Sequence, residues 1–149
     1  MTKEENTVGK KAVQLLVEHS YGPETKITGC DEDEIRDLES EFNVTLPEAY
    51  KSCMRHIGKN PNGFRRGSEF AYPEMKRQRE FAQKRVEEND VDFKFDESDF
   101  VFMGHQGYSF LFFDTDEGDN PPVYLFMSPN EPYKLNDSFS EWLFNEIRQ

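Results

Sequence analysis

The sequence has only two cysteines, Cys30 and Cys53, so it carries no disulfide framework and both thiols are expected to stay reduced. No run approaches the roughly 18 apolar residues of a membrane span, and residues 1–25 contain no signal-like apolar core. These absences exclude a disulfide scaffold and a helical membrane protein, and make the cytoplasm the expected location. Basic residues are also scarce: 18 Lys and Arg face 30 Asp and Glu, a formal charge of -12. Phosphate backbones repel such a chain, which argues against direct nucleic-acid binding and suits a basic protein partner. Hydrophobic residues make up only 35%, yet 14 of the residues are Phe, so the expected core is aromatic. A chain of 149 residues buries roughly 68–70% of its unfolded surface, enough for one domain over 1–149 without metal or disulfide.

The charge is unevenly distributed. Residues 1–86 hold 15 basic and 15 acidic side chains, whereas residues 87–149 hold 3 and 15. Adaptation to high salt would spread acid everywhere and deplete Lys, but the chain has 10 Lys and a neutral first part. A polarised surface is the better explanation.

Apolar spacing predicts a first helix over 8–20, with Ala12, Val13, Leu16 and Val17 on one face. Asp31 is a good N-cap three residues before Glu34, and Ile35, Leu38 and Phe42 line a second helix that Asn43 ends. Pro47 suits the first position of a third helix, with Tyr50, Cys53, Met54 and Ile57 inside and Gly58 as its stop. Residues 58–73 read as loop, and 73–89 as a charged surface helix with a thin stripe of Met75, Ala82 and Val86. Period-two patterning then predicts strands at 93–95, 100–103, 108–113 and 123–127. Both faces of these strands are apolar, so helices must cover one face and another part of the chain the other. Ser138 and Glu141 match a capping box for a last helix that faces Phe139, Trp142, Leu143 and Ile147 inward. The predicted class is α+β: N-terminal helices on a mainly antiparallel sheet of about four to six strands, closed by a C-terminal helix.

Several groupings invite chemistry and lose to simpler readings. The loop from Asp114 to Asp119 begins like a calcium loop, but its glycine falls at position five instead of six, and Leu125 stands where a bidentate Glu belongs. Cys53 and His56 supply two ligands where structural zinc needs four, so Cys53 is expected to be a buried thiol and no metal is expected. His105 lies in a turn without a partnered nucleophile, because Ser109 sits inside a strand. No phosphate-binding glycine pattern, deaminase signature or kinase motif set is present, so neither enzymatic activity nor a cofactor is expected. Arg65, Arg66, Lys76, Arg77, Arg79, Lys84 and Arg85 could touch RNA beside Phe64, Phe70 and Tyr72, but Glu69, Glu74 and Glu80 interleave and favour an ion-paired face.

The stretch from Ile35 to Tyr50, an acidic helix followed by Leu46-Pro47-Glu48-Ala49-Tyr50, resembles a motif of the SUKH superfamily. That fold is shared by a fungal regulator of cell-wall synthesis and many bacterial immunity proteins. Gly104–Asp114, Pro122-Val123-Tyr124 and the run from Ser138 to Leu143 resemble its later motifs in order and spacing. The resemblance covers about 30–60 and 98–147, leaving 64–97 as a longer, charged insertion. It implies a non-enzymatic binding domain, often an immunity protein that neutralises a toxin acting on nucleic acids through a basic surface. The alternative it implies is an intracellular scaffold or regulatory adaptor. A monomer or weak dimer is expected. The residues expected to meet a basic partner are Asp114, Asp116, Glu117 and Asp119 in the hairpin loop, with Asp96, Glu97 and Asp99 before the sheet.

Overall fold

The computed structural model describes residues 3–149, with side chains from residue 7 onward. Three helices come first: α1 (Lys3–Glu18), α2 (Glu32–Phe42) and α3 (Glu48–Ile57). The first starts before the predicted 8–20 span, covers most of it and stops at Glu18, and Ser20 then adopts a left-handed conformation (φ 74°) that turns the chain. The cap of α2 is a reciprocal box. Asp31 Oδ1 accepts the Glu34 amide at 2.8 Å, and Glu34 Oε1 accepts the Asp31 amide at 2.9 Å. Asn43 ends α2 in the left-handed region, and its amide donates to the Glu39 carbonyl. Pro47 sits one residue earlier than predicted, as the extended residue before α3.

Close packing of α1 on α3 depends on Gly9. Its amide donates to Ser52 Oγ at 2.9 Å, and a Cβ there would stand 2.2 Å from both the Ser52 carbonyl oxygen and His56 Nδ1. Helix-on-helix contact this near requires the missing side chain.

The sheet has five strands, all antiparallel and in chain order: β1 (Ser68–Glu69), β2 (Asp99–His105), β3 (Ser109–Asp114), β4 (Val123–Met127) and β5 (Tyr133–Asn136). Four expectations need correcting. The stretch 58–73 is not all loop, because β1 pairs with the end of β2 at Ser68–His105 and Glu69–Gly104. Tyr133–Asn136 adds an edge strand that its polar, turn-flanked composition concealed. The segment 93–95 is no strand, because Phe93 and Phe95 belong to an irregular strap lying on the sheet. The segment 73–89 is no mere surface helix. It forms a 3-10 turn (Glu74–Arg77) and α4 (Gln78–Glu88), with Met75, Ala82 and Val86 all buried.

Alternation along β3 divides the core. Leu111 and Phe113 join the helix-side cluster with Phe100, Phe102, Tyr50 and, from α5 (Phe139–Arg148), Phe139 and Trp142. Phe110 and Phe112 join the opposite cluster with Val101, Phe126, Phe95, Ala82 and Val86. A bulge between Val101 and Met103 breaks the alternation, so neighbouring Phe102 and Met103 both face the helices. Tyr50 is the hub of the first cluster, its ring 5.3–5.4 Å from those of Phe100, Phe113 and Phe139. In the second, Phe95 lies 5.1 Å from Phe112 and 6.1 Å from Phe126. Gln78 presses against β2 where Gly104 leaves room, since a Cβ on Gly104 would stand 1.8 Å from Gln78 Oε1.

Truncating a true core aromatic costs about 3–5 kcal/mol. Phe95→Ala is therefore expected to lower stability by about that much in urea unfolding, whereas a merely surface-lying 73–97 segment predicts under about 0.5 kcal/mol.

Candidate functional site

The acidic residues flagged in the sequence fall at one end of the sheet. Asp99 opens β2 and Asp114 closes β3, and the register sets the two directly opposite each other. Each caps the turn beside it. Asp99 Oδ2 accepts the Asp96 amide and Asp114 Oδ1 accepts the Asp116 amide, both at 2.9 Å. The Ser98 carbonyl then ties the turns together, accepting the Thr115 amide at 2.9 Å and the Thr115 hydroxyl at 2.8 Å.

Beyond this junction lies an open depression of about 570 Å³. Asp96, Glu97 and Asp116 line it together with Ser98, Thr115 and the Asn43–Thr45 link between α2 and α3. Those three carboxylates are exposed, while Asp99 and Asp114 are half-buried. Glu117 and Asp119 are exposed further along the hairpin loop, outside that lining. Glu117 Oε1 accepts the Tyr124 hydroxyl at 3.2 Å. Asp119 docks through its backbone, its carbonyl accepting the Ala49 amide in the first turn of α3 at 2.9 Å. The next residue, Asn120, accepts the Ser140 amide at 3.0 Å and donates to Ser140 Oγ at 2.8 Å. The loop is thus fastened to the N-terminal turns of two helices, whose free amides need acceptors. Sequence reasoning missed the Asn43–Thr45 wall, because Asn43 signalled only a helix end.

The other flagged residues are engaged elsewhere. Lys76 bridges Asp37 at 2.8 Å and Glu41 at 2.7 Å, Arg65 pairs with Glu146 at 3.1 Å, and Arg85 pairs with Glu88 at 3.1 Å. Lys84 reaches Glu80 at 3.5 Å, and Arg77 lies over the Phe81 ring. Of the interleaved acids only Glu80 is among these partners; Lys76 and Arg65 instead pair with acids on α2 and α5, remote in sequence. His105 is not free in a turn: it ends β2, and its Nδ1 lies 2.8 Å from Oγ of its cross-strand neighbour Ser68. Arg65 Nη2 also reaches that hydroxyl, at 3.3 Å. Among the described residues no further group hydrogen-bonds the His105 ring, so the pair lacks the orienting third partner that an activated nucleophile uses. Cys30 and Cys53 are both buried, and burial pushes the Cys30 thiol up to about 12 and the Cys53 thiol well above its ordinary range. Neither forms the reactive thiolate near neutral pH. Among the described residues no three His, Cys, Asp or Glu side chains are grouped to hold a metal ion.

Asp99 carries the site's largest electrostatic tension. Burial, together with the charges of Asp114 and Asp96, pushes its carboxyl up to about 6, against the opposing effects of the Asp96 amide and Arg79. A folded-state value above the unfolded one means that stability is gained by protonation as pH falls through about 6 toward the ordinary carboxylate range, and is lost as pH rises through it. Asp99→Asn keeps an acceptor for the Asp96 amide and removes the charge. It is expected to raise the melting temperature at pH 7.5 by about 3 °C, with the difference closing at pH 4, as measured by thermal unfolding across that range.

Comparison with curated proteins gives no match. The model of the SMI1 / KNR4 family (SUKH-1) matches residues 29–145. That span holds α2, α3, α4, all five strands and both acidic segments. With four-fifths of its length matched in this way, the chain belongs to the SMI1/KNR4 (SUKH-1) family.

Proposed function

We propose that the protein is a non-enzymatic protein-binding domain acting as an immunity protein, which neutralises a cognate bacterial toxin by covering that toxin's basic, nucleic-acid-directed surface. The observation that carries this reading is the meeting of two acidic segments, remote in sequence, around one depression lined by Asp96, Glu97 and Asp116. The backbone turn of each segment is fixed by hydrogen bonds, so the positions from which these carboxylates project are set before a partner arrives. Such a face raises the encounter rate with a cationic surface and discriminates against acidic ones. Family membership supports a binding role. Among the described residues no helix is long and apolar enough to cross a membrane.

The partner to test is the product of the neighbouring gene. Co-expression is expected to rescue cells from its toxicity and to yield a co-purifying complex; a neighbour without toxicity or binding would favour the regulatory-adaptor reading. With the genuine partner, the triple variant Asp96→Asn, Glu97→Gln, Asp116→Asn is expected to slow association on the order of tenfold at low salt and to flatten its salt dependence. Stopped-flow association rates at several salt concentrations check this, and rates equal to wild type would remove this face from the interface.

A further inference from the structure

The turn Asn60-Pro61-Asn62-Gly63 contains the one asparagine of this sequence that glycine follows. Such a pair is chemically labile, because a residue without Cβ leaves its amide nitrogen unhindered for attack on the asparagine side chain. Asn62 and Gly63 both have positive φ, 53° and 99°, and the Asn62 amide donates to Asn60 Oδ1 at 2.9 Å. Asn60 is itself fixed, because it and Thr28 exchange backbone hydrogen bonds of 2.9 Å in both directions. From this anchored turn, Asn62 Nδ2 donates to the carbonyls of Tyr21 and Gly22, at 2.7 and 3.3 Å. The side chain thus ties the chain leaving α1 to the loop, assisted by the edge-on contact of the Tyr21 and Phe64 rings, 6.0 Å apart. Among the described residues the Gly63 amide has no hydrogen-bond partner. The attacking nitrogen is therefore unengaged, while the group it would attack is held away by a clamp.

We propose that Asn62 is a deamidation site gated by this clamp, and that the reaction irreversibly opens the joint between α1 and the loop. In the reaction the Gly63 amide loses its proton and its nitrogen bonds to Asn62 Cγ. The Cγ–Nδ2 bond breaks, ammonia leaves with a proton in place of the one given up, and a cyclic imide remains. Water then opens the imide to aspartate or isoaspartate, and no other co-reactant is consumed. Attack requires Cγ to swing toward the Gly63 nitrogen, which breaks both hydrogen bonds to Tyr21 and Gly22. The closed joint thus protects the residue, and molecules react when the end of α1 has moved away. The product cannot restore the contact, because an ionised carboxylate has no donor and would face two carbonyl oxygens. Each opening that reacts is thereby recorded in the covalent structure. None of this depends on what binds the acidic face.

The test incubates the whole chain at mildly alkaline pH, folded and in guanidinium chloride, and follows Asn62 by peptide mass mapping and isoaspartate labelling. The folded chain is expected to convert at least about tenfold more slowly than the unfolded one. Tyr21→Ala removes the ring contact beside the clamp but leaves both carbonyls in the backbone. It is expected to stay folded by circular dichroism and to convert at least about threefold faster than wild type. Tyr21→Leu is the milder form of the same test if the alanine variant does not fold. Asn62→Asp reproduces the hydrolysed side chain. Hydrogen exchange of the His19 and Tyr21 amides, which bond the Leu15 and Leu16 carbonyls, is expected to quicken about tenfold in that variant. The Trp142 amide, bonded to the Ser138 carbonyl in α5, should exchange as in wild type. Equal conversion in the folded and unfolded chain, no conversion of Asn62 in the unfolded chain, Tyr21 variants that react no faster, or unchanged His19 and Tyr21 exchange in Asn62→Asp would each overturn the proposal.

Discussion

A sheet that is apolar on both faces has to be covered twice, and the rest of this structure follows from that requirement. Strand β3 sends Leu111 and Phe113 to one side and Phe110 and Phe112 to the other, all buried. Leaving either pair in water would forfeit roughly 1.5–3 kcal/mol per side chain. The helical layer meets the first demand with ordinary amphipathic helices. The second is met from the most charged part of the chain, where α4 buries Ala82 and Val86 in the cluster with Phe81 packed beside them, and the strap adds Phe93 and Phe95. A thin stripe suffices because the aromatic side chains fill the remaining space and the Arg79 guanidinium spreads over Phe95.

With both faces sealed, carboxylates have room mainly at the strand ends, and β2 and β3 end together. Pairing Asp99 with Asp114 opposes two like charges, but each carboxylate also organises a turn that would otherwise leave amides unpaired. The same economy governs the hairpin loop, whose backbone and Asn120 satisfy the first turns of α3 and α5. Fastening the acidic loop to helix N-termini also sets negative charge beside the positive ends of helix dipoles, which offsets part of the repulsion within the loop.

The sequence was most legible where one local signal determined the outcome. The Asp31–Glu34 box, the Asn43 stop, the buried faces of α2, α3 and α5, and three of the five strands follow from spacing alone. The α+β class follows with them. Where tertiary contact decides, spacing misleads. Phe93 and Phe95 alternate as a strand would, but they pack downward on an existing sheet instead of pairing at its edge. Strand β1 has two residues and β5 reads as polar loop, so neither carries a period. The acidic residues were identifiable as a charge excess, but their convergence depends on the β2–β3 register and on the Asn43–Thr45 wall, and neither is visible in composition.

The position of Asp99 is best understood as a conflict between stability and charge. Asparagine could cap the same turn without the electrostatic cost, so the fold alone gives no reason for a carboxylate there. Basic side chains elsewhere do not relieve it, because Lys76, Arg65 and Arg85 already have acidic partners of their own. Among the described residues, none of the seven acids flagged at the sheet end, from Asp96 to Asp119, has a Lys or Arg within ion-pair distance, whereas Lys76, Arg65 and Arg85 are paired. Charge that the fold neither needs nor neutralises is available to something outside it. The carboxylate at Asp99 therefore costs the isolated fold stability that an amide in its place would not.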